Sequence, residues 1–181
     1  MGQLAPHRPV LLIVAAFSRH AAALAWARQT LEQAWGPAAL VSDCFDHRET
    51  TYYDATMGPD LQKVFFALET LIDPASLIER KLQSNRWEAE YQALGLHPEP
   101  RPLNLDPGYL TEAKLVLAST KDRDHRLYLD RGIYAEGTLY FHQGQWKNRP
   151  WTYPDYQRAD YHQFFLRCRE YLRGRYRQTS E

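Results

Sequence analysis

The first part of the chain alternates apolar and polar segments in a way that predicts a strand, a helix and a second strand. Residues 10–17 form a continuous apolar run, as expected of a central strand that is covered on both faces. In residues 20–35 apolar positions recur at spacings of three and four, which predicts a helix. Gly36 and Pro37 end it, because glycine suits a left-handed cap and proline cannot continue a helix. Residues 39–45 then predict the second strand.

The middle of the chain predicts a further strand and a long helix. Residues 64–72 carry apolar side chains at alternate positions, which favours a strand, although the other face is also apolar. Asp73 and Pro74 are typical of a helix start, as N-cap and first helical residue, so we predict a helix over 74–94. The polar segment 46–60 is predicted to be an ordered loop or a short strand.

Residues 125–142 contain the clearest local signal, which predicts a β-hairpin. Its loop is 130–132, which ends in a glycine that suits the left-handed position of a three-residue turn. In this pairing Arg126 lies opposite Glu136, and Tyr128 lies on the same polar and aromatic face.

The remaining segments complete the predicted elements. Residues 103–109 predict a strand that runs into a turn, and residues 111–119 predict a helix. The last helix is predicted over about 155–175, with its apolar residues turned inward.

Together these elements predict an α+β fold in one domain that spans residues 1–181. We expect a mixed, largely antiparallel sheet of five to seven strands with about three main helices packed mainly on one face. A doubly wound parallel sheet is less favoured, because the second half predicts a hairpin. Residues 1–8 and 176–181 are predicted to be loose tails.

The composition fits a globular protein and removes several classes of function. The chain has 181 residues, and its 22 Lys and Arg balance its 22 Asp and Glu. This excludes a globally basic nucleic-acid-binding protein and an acidic, disordered chain. The longest apolar run is far shorter than the roughly 20 residues of a membrane helix, so we expect no membrane partner. Two cysteines, neither in a Cys-x-x-Cys pair, indicate a reducing, cytoplasmic location.

Ionisable and hydroxyl side chains concentrate between residues 104 and 156, at strand ends and turns where binding sites usually form. We therefore predict a site on the polar face of the 125–142 hairpin. The residues selected as catalytic are Glu136, His125 and Asp106. The residues selected for ligand binding are Lys121, Arg126, Tyr109, Tyr128, Tyr153 and Asp155. Carboxylate and imidazole groups suit a general base, and the cations suit a phosphate or carboxylate ligand.

These residues also have a purely structural interpretation. Arg126 and Glu136 would form a cross-strand ion pair, and Asp106 would cap the turn that contains Pro107 and Gly108.

Three functions are therefore open. The first, which we favour, is an enzyme or binding protein for a small anionic ligand of phosphate or nucleotide type. The second is an RNA- or protein-interaction module that uses the arginine-rich C-terminal helix and exposed aromatic residues. Zero net charge does not favour nucleic acid as the partner. The third is a structural protein without catalysis, and the oligomeric state is left open.

No cofactor can be assigned from motifs. The sequence contains no G-x-x-x-x-G-K-[ST] phosphate loop and no G-x-G-x-x-G dinucleotide fingerprint. Two acidic groups include a histidine, namely Asp43, Asp46 and His47, and Asp122, Asp124 and His125. Neither group has the spacing of a known metal motif, so we predict no metal site and leave the cofactor unknown.

Five motifs distributed over the second half carry a resemblance to a known family. They are NLDPGYL (104–110), ASTKD (118–122), HRLYL (125–129), GIYAE (132–136) and WTYPDY (151–156). Tyr52-Tyr53, Met57-Gly58 and the Lys81, Asn85 and Glu88 positions fit the same pattern. The chain thus resembles the domain of unknown function 4416 family of bacteria over nearly its whole length. The resemblance implies no established activity, cofactor or partner.

Overall fold

The computed structural model describes residue 3 and residues 7–178, which form nine strands and four α-helices. The strands are β1 (Leu11–Ser18), β2 (Ala38–Val41), β3 (Phe45–His47), β4 (Leu61–Leu68), β5 (Asn104–Leu110), β6 (Lys114–Ser119), β7 (Leu127–Asp130), β8 (Ile133–His142) and β9 (Gln145–Asn148). The helices are α1 (Ala21–Trp35), α2 (Asp54–Met57), α3 (Leu77–Ala93) and α4 (Ala159–Gln178), with short 3₁₀ segments at Pro74–Ser76 and Asp155–Gln157. Among these residues, no helix has both the length and the apolar character to cross a membrane.

The strands form one antiparallel sheet, which confirms the predicted α+β class. The order across the sheet is β2-β4-β1-β5-β6-β8-β7, with β3 paired to β4 and β9 paired to β8. The nine strands exceed the predicted five to seven, because residues 38–47 form two short strands and β6 and β9 add two more.

The prediction of a helix over 111–119 was wrong, because this segment forms β6. Leu115 and Leu117 pack into the apolar cluster on one face of the sheet, while Val116 and Ala118 pack on the other. A segment that is apolar on both faces has no alternation that separates a strand from a helix. Pairing with β5 and β8, which is not visible in the local sequence, decides the outcome.

The long helices cover both faces of the sheet. On one face, Leu12 and Val14 of β1 share an apolar cluster with residues of α1 and α3. On the other face, Leu11 and Ile13 pack with residues of α4, among them Phe165. Two of the three long helices thus share a face, and the third lies opposite. All of β1 is buried, as its continuous apolar run predicts.

The C-terminal helix begins and ends later in the chain than its pattern predicts, because residues 155–157 form a 3₁₀ segment before it. It continues to Gln178, so residues 176–178, predicted to be tail, are helical. The Tyr176 hydroxyl donates to the carbonyl oxygen of Pro9 at 2.6 Å, which joins this last helical turn to the segment before β1. The rest of the predicted tails falls mainly on residues 1–2, 4–6 and 179–181, outside the described residues.

The predicted hairpin is formed by β7 and β8. Its register places Leu127 opposite Ala135, which agrees with the predicted position of Arg126 opposite Glu136, and a bulge then brings Asp130 opposite Ile133. The loop is therefore only residues 131 and 132, not the predicted 130–132, and both have positive φ angles, 48° and 76°, as a two-residue type I′ turn requires.

The pairing of β5 with β6 covers only the residues from Gly108 to Leu110. Before that point β5 extends back to Asn104 alongside β1, while β6 extends on to Ser119 alongside β8. Pro107, which has no amide hydrogen to donate, lies directly before the paired stretch. The two strands therefore leave an opening within the sheet.

Gly108 allows the close approach of the two strands where they do pair. A β-carbon on Gly108 would lie 2.4 Å from the carbonyl oxygen of Val116 and 2.7 Å from a side-chain carbon of Leu117. The backbone oxygen cannot move away without disturbing the ladder, so only glycine fits this position.

Gly108→Ala is expected to lower the free energy of unfolding by about 1–3 kcal/mol, the usual cost of overpacking. Urea unfolding measures this change. Gly137→Ala in β8 is the matched control, because a β-carbon there meets no atom within 4 Å. An unchanged unfolding free energy in the Gly108 variant would contradict the close approach of β5 and β6.

Candidate functional site

An inner cavity of about 170 Å³ lies at the opening between β5 and β6. Asn104 and Asp106 of β5 line one side, and Ser119 of β6 lines the other. Lys63 of β4 and Glu136 of β8 complete its polar wall. These residues meet because β4, β5 and β8 begin on the side of the antiparallel sheet where β1 and β6 end.

The first buried ion pair joins Lys63 to Asp155, which begins the 3₁₀ segment before α4. Nζ of Lys63 lies 2.5 Å from Oδ2 of Asp155, and the two side chains are 5% and 6% exposed. The rings of Phe17 and Tyr156 lie with their centroids 4.8 and 5.3 Å from the ammonium. Because the face of an aromatic ring attracts a cation, Lys63 is held firmly in the cavity wall.

The second ion pair joins Asp106 of β5 to a lysine of α3, the helix on the face of the sheet opposite to α4. Lys81 of α3 donates to Oδ1 of Asp106 at 3.0 Å and to the carbonyl oxygen of Leu105 at 3.1 Å. The lysine has room because β6 is not paired with this part of β5. Burial would raise the pKa of Asp106, but Lys81, together with Lys63 and Asn104, outweighs burial and lowers it. Asp106 is therefore ionised at neutral pH.

The third ion pair joins Arg126 to Glu136. Nε donates to Oε2 at 2.9 Å, and both side chains are almost fully buried. The same guanidinium donates to the Ser119 hydroxyl, the Lys121 carbonyl and the Tyr153 hydroxyl, at 2.8, 2.9 and 2.5 Å. Arg126 therefore ties the segment after β6 to the loop before α4.

Arg101 adds a further cation at the cavity. It donates to Glu88 of α3 at 2.9 Å and also to Asn104. Glu88 in turn accepts from the backbone nitrogen of Leu105 at 2.7 Å. Burial raises the pKa of Glu88, although Lys81 and Arg101 oppose this change.

His47 of β3 is a buried polar group in the wall of the inner cavity. Within the described residues, neither of its ring nitrogens has a hydrogen-bond partner. Nδ1 lies 3.6 Å from a carboxylate oxygen of Glu49 and of Asp155. Burial, and after it the charge of Lys63, lowers the pKa of His47 to about 4. The ring is therefore neutral near pH 7, with one donor and one acceptor.

An outer chamber of about 370 Å³ adjoins the inner cavity, and we call the two together the cleft. Both compartments are lined by Tyr53, Lys121, Tyr153 and Asp155. The remaining outer wall is formed by Glu49, Thr50, Tyr52, Arg123, His125, Arg126, Trp151 and Pro154. Burial raises the pKa of Tyr53 and of Tyr153, so both phenols stay protonated where the two compartments meet.

The cleft carries an excess of positive charge in a chain whose net charge is zero. Its wall contains six Lys and Arg side chains and four Asp and Glu side chains. Lys121 and Arg123 form no ion pair with a carboxylate within the described residues, and Lys121 donates to the Tyr52 hydroxyl at 2.9 Å instead. These two cations therefore keep their charge available to a ligand.

Seven of the nine predicted site residues line the cleft. They are Glu136, His125, Asp106, Lys121, Arg126, Tyr153 and Asp155. Arg126 and Glu136 also form the ion pair of the structural interpretation, so the geometry alone does not separate the two interpretations of this pair. Asp106 lies within β5, and its carboxylate accepts hydrogen bonds from Lys81 of α3 and from Asn104. It therefore does not cap a turn.

Tyr109 and Tyr128 lie outside the cleft. Tyr109 packs among the apolar residues beside α3, and this burial raises its pKa. Neighbouring strand positions alternate between faces, so Tyr109 cannot share a face with Asp106, three residues earlier. Tyr128 is 60% exposed on β7 and packs against Tyr134 instead. Arg126 precedes β7, which begins at Leu127. Its side chain is therefore not bound to the face of the strand on which Tyr128 lies, and it reaches the cleft.

The sequence selection missed several residues of the cavity wall. They are His47, Tyr53, Lys63, Lys81 and Arg101. The sequence did contain signals for two of them, because Tyr53 and Lys81 fit the family pattern, and Lys81 also lies at helical spacing from Leu77 on the inward face of α3, where apolar residues are the rule. Lys63 carries no such signal, since its partner Asp155 is 92 residues away.

Among the described residues, no group of three or more His, Cys, Asp or Glu is arranged to hold a metal ion. His125 instead lies 3.0 Å from a carboxylate oxygen of Asp124 and 3.1 Å from one of Glu136.

Acid is expected to destabilise the protein through His47. Its folded pKa of about 4 lies below the ordinary 6.5, so the unfolded chain takes up the proton first as the pH falls. This contribution to stability is present above the ordinary pKa and is lost as the pH falls towards the folded one. In His47→Asn, urea unfolding should therefore show a shallower loss between those values, by up to about 1.4 kcal/mol per pH unit.

The control is His142→Asn, because His142 is exposed. It should retain the pH dependence of the parent protein. An equally steep acid destabilisation in the His47 variant would contradict the neutral, buried state of this histidine.

Comparisons with known proteins define the family of the chain. Neither the curated proteins nor the solved structures give a match. A family model described as a domain of unknown function, DUF4416, matches residues 8–171, a segment that contains every residue of the cleft wall. This match covers most of the chain and agrees with the five motifs, so the chain belongs to the DUF4416 family.

Proposed function

We propose that this protein binds a small molecule with a phosphate or carboxylate group in the cleft. The observation that carries the proposal is the positive excess of the cleft wall, within which Lys121 and Arg123 have no carboxylate partner in the described residues. Lysine and arginine bind such anions by charge-assisted hydrogen bonds, which are about twice as strong as neutral ones.

The anionic group is expected at the boundary between the two compartments. Deeper in the inner cavity, Lys63 and Lys81 are each neutralised by a carboxylate within 3.0 Å. A second anion there would be repelled by these carboxylates. Lys121 lines both compartments, and its ammonium keeps hydrogens to donate beyond the one that it gives to Tyr52.

The inner cavity then suits an uncharged, polar part of the ligand. The carboxylates of Asp106 and Asp155 accept hydrogen bonds from hydroxyl or amide groups, and the amide of Asn85 both donates and accepts. The unpartnered ring of His47 adds one donor and one acceptor to the same wall.

His125 and Glu136 are the groups in position for proton transfer. Nε2 of His125 lies 3.1 Å from Oε2 of Glu136, with the histidine in the outer wall and the glutamate in the inner wall. A ligand that spans the boundary lies near both groups. The proposal therefore includes acid–base catalysis as well as binding.

The arginine-rich helix α4 gives less support to an RNA- or protein-interaction module. At least three of the six arginines in and directly before α4 are paired, Arg158 with Asp160 and both Arg169 and Arg173 with Glu170. Arginines that are already paired offer little charge to a phosphate backbone, which supplies most of the affinity for nucleic acid.

We also propose a cytoplasmic location. Both cysteines are free thiols, and Cys44 is exposed, which is typical of a reducing compartment. Fractionation of cells that produce the chain tests this, and recovery outside the cytoplasm would contradict it.

Lys121→Ala and Arg123→Ala are each expected to weaken binding of ribose 5-phosphate or citrate about tenfold or more. A hydrogen bond to a charged group contributes about 1.5–3 kcal/mol, and 1.4 kcal/mol is a factor of ten. Isothermal titration calorimetry measures the affinities, and the two probes distinguish a phosphate site from a carboxylate site.

Lys114→Ala is the matched control, because Lys114 is exposed at the opposite end of β6. It should leave the affinity unchanged. Equal loss in all three variants, or no binding of either probe by the parent protein, would contradict the proposed anion site.

A further inference from the structure

Aromatic side chains line the outer chamber and are exposed within it. Tyr52, Trp151 and Tyr153 are 67%, 38% and 42% exposed, and all three belong to the chamber wall. His125 and Tyr53 add two further rings. Large aromatic side chains that share one concave surface are typical of ligand sites, whereas scattered ones carry no such meaning.

Trp151 is held rigidly although it is exposed. Its Nε1 donates to the carbonyl oxygen of Gly137 at 3.0 Å. The indole lies nearly parallel to the ring of His125, at 5.1 Å between centroids and 11° between planes. Asp124 and Glu136 hold this imidazole from both of its nitrogens. Two stacked rings that are already fixed lose little conformational entropy when a third ring stacks on them.

The tyrosines of the chamber place fixed rings beside cations. The Tyr52 hydroxyl accepts from Lys121, whose ammonium also lies 4.7 Å from the ring centroid. The Tyr153 hydroxyl accepts from Arg126. Aromatic surface and positive charge therefore alternate within one chamber. Such a wall does not favour a purely apolar hydrocarbon ligand, and it does not favour a cationic ligand.

The volumes of the two compartments show where the body of a ligand fits. The outer chamber of about 370 Å³ lies within the usual range of small-molecule sites, roughly 300–1,000 Å³. The inner cavity of about 170 Å³ lies below that range and suits a substituent. In the outer wall, the Glu49 carboxylate is an acceptor for an N–H group of a heterocycle, and the Thr50 hydroxyl is a donor for an unprotonated ring nitrogen.

We propose that the outer chamber is a subsite for a planar nitrogen heterocycle, which stacks on its aromatic wall. The ligand class is then a heterocycle that carries an anionic substituent, such as a nucleoside monophosphate. The position of the anion at Lys121 rests on the proposed function, whereas the ring subsite rests on the aromatic wall.

The test compares adenosine 5′-monophosphate, adenosine and ribose 5-phosphate by isothermal titration calorimetry. Stacking on an aromatic side chain should make the monophosphate bind about tenfold or more tightly than ribose 5-phosphate. Trp151→Ala should abolish this advantage and leave the affinity for ribose 5-phosphate unchanged, while Trp151→Phe should retain most of it. Quenching of tryptophan fluorescence by the monophosphate should disappear in Trp151→Phe.

Matched variants keep the test independent of folding. Tyr52→Ala removes a ring of the chamber, and Tyr128→Ala removes a comparably exposed ring outside it. The first should weaken binding of the monophosphate and the second should not. Circular dichroism melting verifies that each variant is folded, and Tyr52→Ala carries the test if Trp151→Ala is unfolded.

The outcomes separate the ring subsite from the anion site. The comparison extends to the 5′-monophosphates of adenosine, guanosine, cytidine and uridine and to flavin mononucleotide. If all of these bind with the same affinity as ribose 5-phosphate, the ring subsite is overturned and the anion site stands. Adenosine binding that depends on Trp151, with no gain from the phosphate, would support the ring subsite and overturn the anion site. No binding of any heterocycle would overturn the ring subsite.

Discussion

The short ladder between β5 and β6 is the constraint on which the cleft depends. Pairing runs only from Gly108 to Leu110, although each strand continues alongside its other neighbour. The opening lets Lys81 reach Asp106 from the helix on the opposite face. A complete ladder would fill this space with backbone hydrogen bonds and leave no inner cavity. The glycine and proline of the NLDPGYL motif lie where pairing begins, which links this sequence directly to the cleft.

Buried ion pairs give the cleft its pattern of donors and acceptors, while apolar clusters on both faces of the sheet supply the stability of the fold. Removal of two charges from water costs about as much as their attraction returns, so a buried pair adds little to stability. Lys63 with Asp155 and Arg126 with Glu136 are nearly inaccessible to solvent, yet all four lie at one cleft. Their concentration there fits the proposed ligand binding, for which rigid polar groups are an advantage.

The sequence predicted elements that local interactions determine, and it missed contacts that only the topology creates. Asp73 caps the start of its helix and accepts from the backbone nitrogen of Ala75, as its pattern predicts. Seven of the nine selected site residues lie in the cleft because they cluster near strand ends on one side of the sheet. Residues 111–119 were assigned to a helix because both of their faces are apolar. Lys63 and His47 could not be assigned to the cleft from the sequence, because β4 and β3 reach the cleft only through their long-range pairing.

The buried ion pairs at the inner cavity are proposed to serve the ligand rather than the fold. The most direct test replaces both members of one pair, Lys63→Met with Asp155→Leu, and measures the free energy of unfolding and the affinity for ribose 5-phosphate. The free energy of unfolding should be unchanged or higher by about 1–4 kcal/mol, and binding should be about tenfold weaker or more. A loss of several kcal/mol of stability with unchanged affinity would contradict this role.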